Sequence, residues 1–119
     1  MTELELQKEI KSKLLDLGHS CWQVDSGKKV TYKTRGIGLE KGFPDLFGAR
    51  KNDGRLFFIE VKIRNGKPSE NQIEFLKVAN EKNVLNGVAW NYEQALAIVE
   101  GKRTIDTEES ERVNKQESF

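Results

Sequence analysis

A mainly apolar stretch near the middle of the chain carries two charged residues, and these are the clearest candidates for chemistry. The stretch Leu56–Ile63 reads LFFIEVKI, so Glu60 and Lys62 are two positions apart. Side chains alternate along a β-strand, which sets Glu60 and Lys62 on one face with their Cα atoms about 7 Å apart. Burying a charge is costly unless the charge is paired or binds a metal. The pattern therefore indicates a binding or catalytic site on this strand.

A second, shorter strand comes before this one and adds another carboxylate, that of Asp45. The sequence between the two strands is rich in turn-forming residues, which predicts a β-hairpin. A loop at Asp53-Gly54 sets Asp45 opposite Lys62. A loop at Asn52-Asp53 sets Asp45 opposite Glu60 instead. In both registers the three charged side chains lie on the same face of the hairpin.

Two carboxylates that meet on neighbouring strands form a site for a hard divalent cation. Mg²⁺ typically binds one or two carboxylates, and water molecules and substrate phosphate oxygens complete its coordination shell. A nearby lysine can hold a phosphate oxygen or help to deprotonate a water molecule, while the metal stabilises the charge that develops on phosphorus. These parts suit the hydrolysis of a phosphodiester. The simpler interpretation is an ion pair at the edge of a sheet, worth about 0–1 kcal/mol when exposed.

Length and composition indicate one modest domain. The chain has 119 residues, of which 36% are hydrophobic, and this is enough for a single core. The one cysteine, Cys21, excludes an internal disulfide, and no apolar run approaches the ~20 residues that span a membrane. The N-terminus lacks the pattern of a secretory signal, so we expect a cytoplasmic protein. We assign residues 1–100 to the domain and residues 101–119 to a polar, flexible C-terminal tail.

The basic charge is concentrated around the hairpin. Residues 28–67 hold 11 Lys and Arg against four acids, a net charge of +7, whereas the rest of the chain carries −6. A basic patch of this kind is typical of a phosphate-binding surface, although a solvated face of a charge-rich domain gives the same count. Phosphate contacts position a nucleic acid without reading its sequence. The candidate residues are Lys28, Lys29, Lys33, Arg35 and Lys41.

Helical and strand patterns on both sides of the hairpin complete the predicted fold. Apolar residues at helical spacing predict a first helix that Gly18 ends. A capping box formed by Ser69 and Gln72 starts a second helix, and it accounts for Gln72 without a catalytic role. The fold class is α/β, with a mixed central sheet flanked by helices in the order α-β-β-β-α-β-α and room for an extra N-terminal strand. In chain order the predicted elements are helix 3–17, strand 20–25, the extra strand 29–34, strands 45–50 and 56–63, helix 69–82, strand 87–91 and helix 92–99.

The rare residue types do not indicate a second site. The two tryptophans, Trp22 and Trp90, are expected in the core or on a dimer face, and His19 is expected on the surface. No spacing of Cys and His suggests a zinc site.

Three motifs resemble those of the PD-(D/E)xK nucleases, and more closely those of the virus-type replication-repair nuclease (VRR-NUC) domain. They are Gly42-Phe43-Pro44-Asp45-Leu46, then Ile59-Glu60-Val61-Lys62, then Ser69-x-x-Gln72 at a helix start. The similarity covers about residues 3–99, as in a stand-alone phage or prophage version of the domain. Each motif alone is weak, but their combination with the order of elements is fairly specific.

The resemblance implies a restriction-endonuclease-like core and roles for several residues. Asp45, Glu60 and the carbonyl of Val61 are implied ligands of Mg²⁺, for which Mn²⁺ can substitute. Lys62 is the implied catalytic lysine. Gln72 is implied to project into the site in addition to its capping role.

The resemblance also implies that an acidic residue of the first helix reaches the metal. Glu3 fits this role best by its spacing to Gln7. Glu5 and Glu9 are rivals for it.

The implied function is that of a Mg²⁺-dependent endodeoxyribonuclease that cuts branched DNA. Small stand-alone members of the family are similar to Holliday-junction resolvases, which implies a homodimer in the cytoplasm of a bacterium or a phage-infected host cell. A restriction-type enzyme and a flap or single-strand nuclease are alternatives within the same class. A non-catalytic nucleic-acid-binding module is the alternative from another class, and the intact set of Asp45, Glu60 and Lys62 argues against it.

Overall fold

A computed structural model describes residues 1–24 and 40–107 of the chain. These residues form a sheet with helices on both faces. The elements are α1 (Glu3–Asp16), β1 (Ser20–Gln23), β2 (Leu46–Ala49), β3 (Leu56–Val61), α2 (Glu70–Glu81), β4 (Leu85–Ala89) and α3 (Tyr92–Val99). Within this part of the chain, no helix has the length and apolar character needed to cross a membrane. The extra strand predicted over 29–34 lies outside the described residues.

The sheet is mixed and has the strand order β1-β2-β3-β4. β2 is antiparallel to both β1 and β3, whereas β4 is parallel to β3. A parallel pair needs a crossover connection, and α2 supplies it. The predicted fold class and element order are therefore confirmed.

β3 is an interior strand of this sheet and is packed on both faces. Phe57, Ile59 and Val61 belong to the core that the strands form with α1 and α3. Phe58 packs on the opposite side, in the cluster that includes residues of α2. Glu60 shares the face of Phe58 and is only 1% exposed. A carboxylate is thus held inside the sheet, as the alternation of the strand predicted.

The β2–β3 hairpin adopts the register that sets Asp45 opposite Glu60. Leu46 pairs with Ile59, and one further step along both strands reaches Asp45 and Glu60. The alternative register, with Asp45 opposite Lys62, is wrong.

The hairpin turn is longer than the two residues predicted. The Arg50 N–H donates to the carbonyl of Arg55 at 2.9 Å, which leaves residues 51–54 in the turn. The Arg50 guanidinium donates to both carboxylate oxygens of Asp53, at 3.1 and 2.7 Å, and to the carbonyl of Val99 at 3.0 Å. This bidentate bond lowers the pKa of Asp53 to about 2. The longer turn is fixed by contacts that the turn sequence alone does not reveal.

The last strand begins and ends two residues earlier than the 87–91 predicted. Asn86 looks like a loop residue, but it is fully buried and its side chain donates to Asn80 Oδ1 at 3.0 Å and to the carbonyl of Val84 at 2.9 Å. Asn91 leaves the sheet because its side chain caps α3, accepting a hydrogen bond from the Gln94 N–H at 2.8 Å. Hydrogen bonding of two asparagines therefore sets both ends of β4.

Part of the segment that was assigned to a flexible tail packs against the sheet. Ile105 is fully buried, and its N–H donates to Asn86 Oδ1 at 3.2 Å. The Arg103 side chain is 7% exposed and donates to the carbonyl of Val88 at 3.1 Å. The packed region therefore extends past residue 100, and residues 108–119 lie outside the described part.

His19 links the end of α1 to the hairpin turn. Its Nδ1 accepts a hydrogen bond from the Lys51 N–H at 2.9 Å, and its ring makes an edge contact with Phe57. Burial is the largest cause of a lowered pKa for His19, and the charges of Lys51 and Arg50 add to it. The folded protein therefore favours the neutral imidazole.

We expect the free energy of unfolding to fall as the pH drops below 6.5, the ordinary pKa of histidine. The unfolded chain binds the proton first, so this contribution is complete above pH 6.5 and is lost as the pH falls through the lowered pKa of His19. Urea unfolding at several pH values should show this slope in the natural protein. His19→Asn, which retains an acceptor for the Lys51 N–H, should lack it. Identical pH profiles for the two proteins would contradict the prediction.

Candidate active site

The two carboxylates predicted from the sequence meet where β2 and β3 come together. Asp45 is 7% exposed, and its Oδ2 accepts a hydrogen bond from the Val61 N–H at 2.9 Å. Glu60 lies opposite Asp45, on the same face of the sheet. The bond to Val61 fixes the Asp45 carboxylate beside the neighbouring strand.

Pro44 explains why the backbone of Val61 is available at this point. One step beyond Asp45 in the same register, Pro44 lies opposite Val61. Proline has no N–H, so it cannot donate to the Val61 carbonyl as an ordinary strand residue would. The N–H and C=O groups of one strand residue point to the same neighbour, so this carbonyl lies on the Asp45 side. The Val61 carbonyl, which the resemblance implied as a metal ligand, thus receives no hydrogen bond from the backbone of Pro44.

Lys62 follows directly after β3 and is held by two features. Its N–H donates to the carbonyl of Ala89 at 3.0 Å, which fixes the backbone to β4. A Cβ placed on Gly66 would lie 3.7 Å from both Cβ and Cδ of Lys62, so the turn at Gly66 lines the aliphatic stem. The Trp90 indole N–H donates to the carbonyl of Gly66 at 3.0 Å. Trp90 is partly buried and secures this turn.

Gln72 has both of the contacts that its two interpretations require. In the capping box, Oε1 of Gln72 accepts from the Ser69 N–H at 2.7 Å, and the Ser69 hydroxyl accepts from the Gln72 N–H at 3.2 Å. The side-chain nitrogen of Gln72 donates to Glu60 Oε1 at 3.2 Å. The same amide therefore caps α2 and contacts the buried carboxylate.

The chain before Asp45 lies unusually close to the start of α2. Gly42 has a left-handed backbone, with φ of +87°, and a Cβ at this position would overlap the carbonyl oxygen of Asn71. The same Cβ would lie 3.0 Å from the backbone nitrogen of Gln72. Only glycine allows this approach without strain. Gly42 thereby sets the distance between the segment carrying Asp45 and the helix carrying Gln72.

We expect Gly42→Ala to lower the free energy of unfolding by about 2–4 kcal/mol. About 1–2 kcal/mol comes from the left-handed backbone and the rest from overlap with α2. Gly54 is a matched control, because its φ is +71° but no atom lies within 4 Å of the added Cβ. Gly54→Ala should therefore show only the backbone cost. Equal losses in urea unfolding of the two variants would rule out the close approach.

Asp45 also lines a groove that it shares with residues of α1 and with Gln23 and Val24. The groove has a volume of about 700 Å³ and is lined by Glu3, Leu4, Gln7, Lys8, Lys11, Gln23, Val24 and Asp45. We call it the Asp45 groove. The Gln23 side chain donates to Gln7 Oε1 at 2.9 Å, which joins α1 to β1 beside the groove.

The structure separates the three acidic residues considered for the first helix. Glu3 lines the Asp45 groove. Glu5 instead completes the capping box of α1, and the hydrogen bond from the Thr2 N–H is the main reason that its pKa is lowered. Glu9 is paired with Lys13 at 3.8 Å. Of the three, only Glu3 shares a cavity with Asp45.

Of the basic candidates, Lys41 is the one within the described residues, and it does not share a cavity with Asp45 in the groove beside α1. Lys41 is exposed and lines a different pocket, on the side of α2. Cys21 is buried, and burial raises the pKa of its thiol to about 11, which makes it a poor nucleophile. Trp22 is 50% exposed and packs on Phe47 with 5.5 Å between ring centroids, so of its two expected places the core is excluded and the dimer face stays a prediction. The other basic candidates, Lys28, Lys29, Lys33 and Arg35, lie outside the described residues.

Sequence reasoning missed four residues of the Asp45 groove: Gln7, Gln23, Lys8 and Lys11. A signal existed for Gln7, since a glutamine interrupts the apolar face of α1 in the sequence. The structure shows that this glutamine is buried, with 8% of its surface exposed. The two lysines carried no signal, because exposed lysines on a helix are ordinary.

The donor set fits Mg²⁺ better than zinc. Within residues 1–24 and 40–107, no three His, Cys, Asp or Glu side chains are grouped closely enough to hold a metal ion. Mg²⁺ needs only one or two carboxylates, because water molecules and substrate phosphates complete its shell. Asp45, Glu60 and the Val61 carbonyl are all oxygen donors and meet this requirement. A structural zinc site would need four nitrogen or sulfur ligands.

Comparisons with known proteins give a consistent result. The family model of the VRR-NUC domain matches residues 3–104. A solved structure described as a VRR-NUC domain is 25% identical, with a TM-score of 0.60, covering 84% of this chain and 97% of the other. A second, described as a VRR-NUC domain protein, is 19% identical with a TM-score of 0.63 and covers 86% of this chain and 88% of the other. No curated protein matches the chain.

The fold and the site define a nuclease-type α/β domain, with two carboxylates and a lysine at one end of an interior strand. The family model matches most of the length of this chain, so the chain belongs to the VRR-NUC domain family. The resemblance drawn from the three sequence motifs is confirmed at the level of the family.

Proposed function

We propose that this protein is a Mg²⁺-dependent, structure-selective DNA endonuclease that hydrolyses phosphodiester bonds in branched DNA. The observation that carries the proposal is the pair of buried carboxylates, Asp45 bonded to the Val61 N–H and Glu60 opposite it. Membership of the VRR-NUC family supports a nuclease-type domain. The metal, the branched substrate and the residue roles are part of the proposal.

The residues of the site have three kinds of task in the proposed mechanism. Asp45, Glu60 and the Val61 carbonyl would hold the metal. When bound, Mg²⁺ supplies a lowered pKa for the attacking water and offsets charge on the phosphate. The Lys62 ammonium holds a phosphate oxygen where negative charge develops in the transition state. The Gln72 amide orients the Glu60 carboxylate through its hydrogen bond to Oε1.

The proposed substrate is a Holliday junction or a similar branch, and the proposed active form is a homodimer. Resolution of a junction needs two symmetrical nicks, and a two-fold dimer presents two equal sites. Trp22 offers an exposed apolar side chain for a subunit contact, because it is half exposed and backed by Phe47. The molar mass of the protein in solution, measured by light scattering, tests the dimer independently of activity.

The test of function is a cleavage assay on DNAs of different shape. The purified protein is incubated with labelled four-way junction, splayed arm, flap and linear duplex, each in Mg²⁺, Mn²⁺ or EDTA. We expect paired symmetrical nicks on the four-way junction in both metals and no cutting in EDTA.

Other outcomes have distinct meanings. Cutting of flaps or single strands alone would retain the nuclease and reject the resolvase activity. Cutting of linear duplex at defined sequences would indicate a restriction-type enzyme. Binding without cutting in either metal would reject the enzyme and favour a nucleic-acid-binding module.

A further inference from the structure

The Asp45 groove contains both signs of charge, and they are contributed by different residues along α1. Glu3 and Asp45 are its acidic residues, and Lys8 and Lys11 are its basic ones. We call Lys8 and Lys11 the α1 lysine pair. They are three residues apart, so they lie on neighbouring positions of one helix face.

The length of this face matches a short run of nucleic-acid backbone. Glu3 and Lys11 are eight residues apart, which is about 12 Å along a helix. One strand of a duplex has a phosphate every 3.4 Å of its axis, so a duplex whose axis runs parallel to α1 would present about three phosphates of that strand to this face. Along the axis of α1, the α1 lysine pair lies C-terminal to Glu3.

The orientation of α1 is fixed relative to the strand beneath the groove. Gln7 lies in the helix between Glu3 and the α1 lysine pair, and its hydrogen bond to Gln23 ties the helix to β1. Leu6, Ile10 and Leu14 hold the adjoining side of the helix in the core. The helix therefore cannot rotate the lysines away from the groove without breaking its packing.

Lys13 shows what an ordinary lysine of the same helix does. It is paired with Glu9 at 3.8 Å, and its Nζ lies 4.8 Å from the centre of the Tyr92 ring. Within the described part of the chain, neither lysine of the α1 pair forms an ion pair. Lys8 lies close enough to Glu5 to contribute to its lowered pKa, and both lysines line the groove.

We propose that the α1 lysine pair binds phosphates of the DNA strand next to the scissile phosphate, so that α1 forms a phosphate-binding side of the Asp45 groove. This inference rests on the proposed function, since the DNA strand must reach Asp45. The contacts position the strand without reading its bases, which suits an enzyme that selects DNA by shape.

The test measures how DNA binding depends on salt. Lys8 and Lys11 are changed together to alanine, and Lys13→Ala is the matched control from the same helix. All proteins also carry Lys62→Met, and binding to a labelled four-way junction is measured in EDTA from about 50 to 200 mM salt, so that cleavage does not interfere. Thermal unfolding checks the fold, which alanine should preserve because it favours helix.

We expect the double alanine variant to bind about 10-fold more weakly and to reduce the slope of log affinity against log salt by about 2, one for each lost phosphate contact. Lys13→Ala should leave the slope unchanged. A double arginine variant should restore it, because arginine keeps the charge. An unchanged slope in the double alanine variant, or an equal change in Lys13→Ala, would overturn the inference.

Failure of this inference and failure of the proposed function are distinguishable. Normal cleavage by the natural protein with an unchanged slope in the double alanine variant would reject the lysine pair alone. No cleavage, but a slope that depends on the lysine pair, would support the lysine contacts and reject the enzyme. An absence of DNA binding by the natural protein would reject both.

Discussion

Lys62→Met, Glu60→Gln and Asp45→Asn will each reduce DNA cleavage at least about 100-fold while the protein remains folded. Removing a charge that stabilises the transition state or a group that acts in proton transfer typically costs a factor of about 10²–10⁴. In the proposed mechanism Lys62 supplies such a charge, and Asp45 and Glu60 would hold the metal that supplies the other effects.

Each substitution retains the shape of the side chain that it replaces. Methionine keeps an aliphatic stem beside Gly66 and loses only the ammonium of Lys62. Asparagine at position 45 keeps an oxygen that can accept from the Val61 N–H, so the 2.9 Å hydrogen bond survives. Glutamine at position 60 is a close match in volume, which suits a site that is 1% exposed. A loss of cleavage in these variants therefore reports the charge and not a rearranged core.

Two measurements separate loss of charge from loss of structure. The first is cleavage of the preferred DNA, compared with Lys67→Met and Glu70→Gln, which change exposed residues near the site and should cut normally. The second is thermal unfolding with and without Mg²⁺, since an ion that binds the folded state raises its stability. Mg²⁺ should raise the Tm of the natural protein but not that of Glu60→Gln or Asp45→Asn. Undiminished cutting by any of the three variants would refute the assigned site.

The parts of the fold that could be predicted from the sequence are those set by local periodicity. Alternation in LFFIEVKI correctly divided the residues of β3 between its two faces, because a strand has a period of two wherever it lies. Helical spacing gave the correct start of α1, and the capping box at Ser69 gave the correct start of α2. The pairing register remained open between two alternatives, because it depends on the turn, and Arg50 holds the turn partly through the carbonyl of distant Val99.

The parts that could not be predicted depend on contacts between residues far apart in the chain. Asn86 belongs to a strand because Asn80 and the N–H of Ile105 satisfy its side chain. Ile105 appears as an isolated apolar residue in a polar segment, and only the folded chain shows the core that it completes. Lys8 and Lys11 face the Asp45 groove because α1 packs at one particular rotation on the sheet. No pattern within a single element contains this information.

Gln72→Glu will reduce cleavage about 10–100-fold while the helix cap is retained, because it separates the two contacts of the Gln72 side chain. Glutamate serves as well as glutamine at this position of a capping box, so the bond to the Ser69 N–H at 2.7 Å is retained. Glutamate has no N–H to donate to Glu60 Oε1, and it adds a negative charge beside that carboxylate. Loss of a group that orients a metal-binding side chain typically costs a factor of about 10–100 in activity or affinity.

Ser69→Ala, at the same helix end, should lower stability and leave cleavage nearly unchanged. It removes the hydroxyl that accepts from the Gln72 N–H at 3.2 Å, which should lower the free energy of unfolding by about 1 kcal/mol. The Gln72 amide keeps its donor to Glu60, so cleavage should change little. Cleavage rates and urea unfolding of the two variants together decide the role of Gln72. If Gln72→Glu cuts normally, the contact with Glu60 is without consequence and Gln72 is only a helix cap. Loss of cleavage in Gln72→Glu, together with normal cleavage and lower stability in Ser69→Ala, would assign Gln72 both roles.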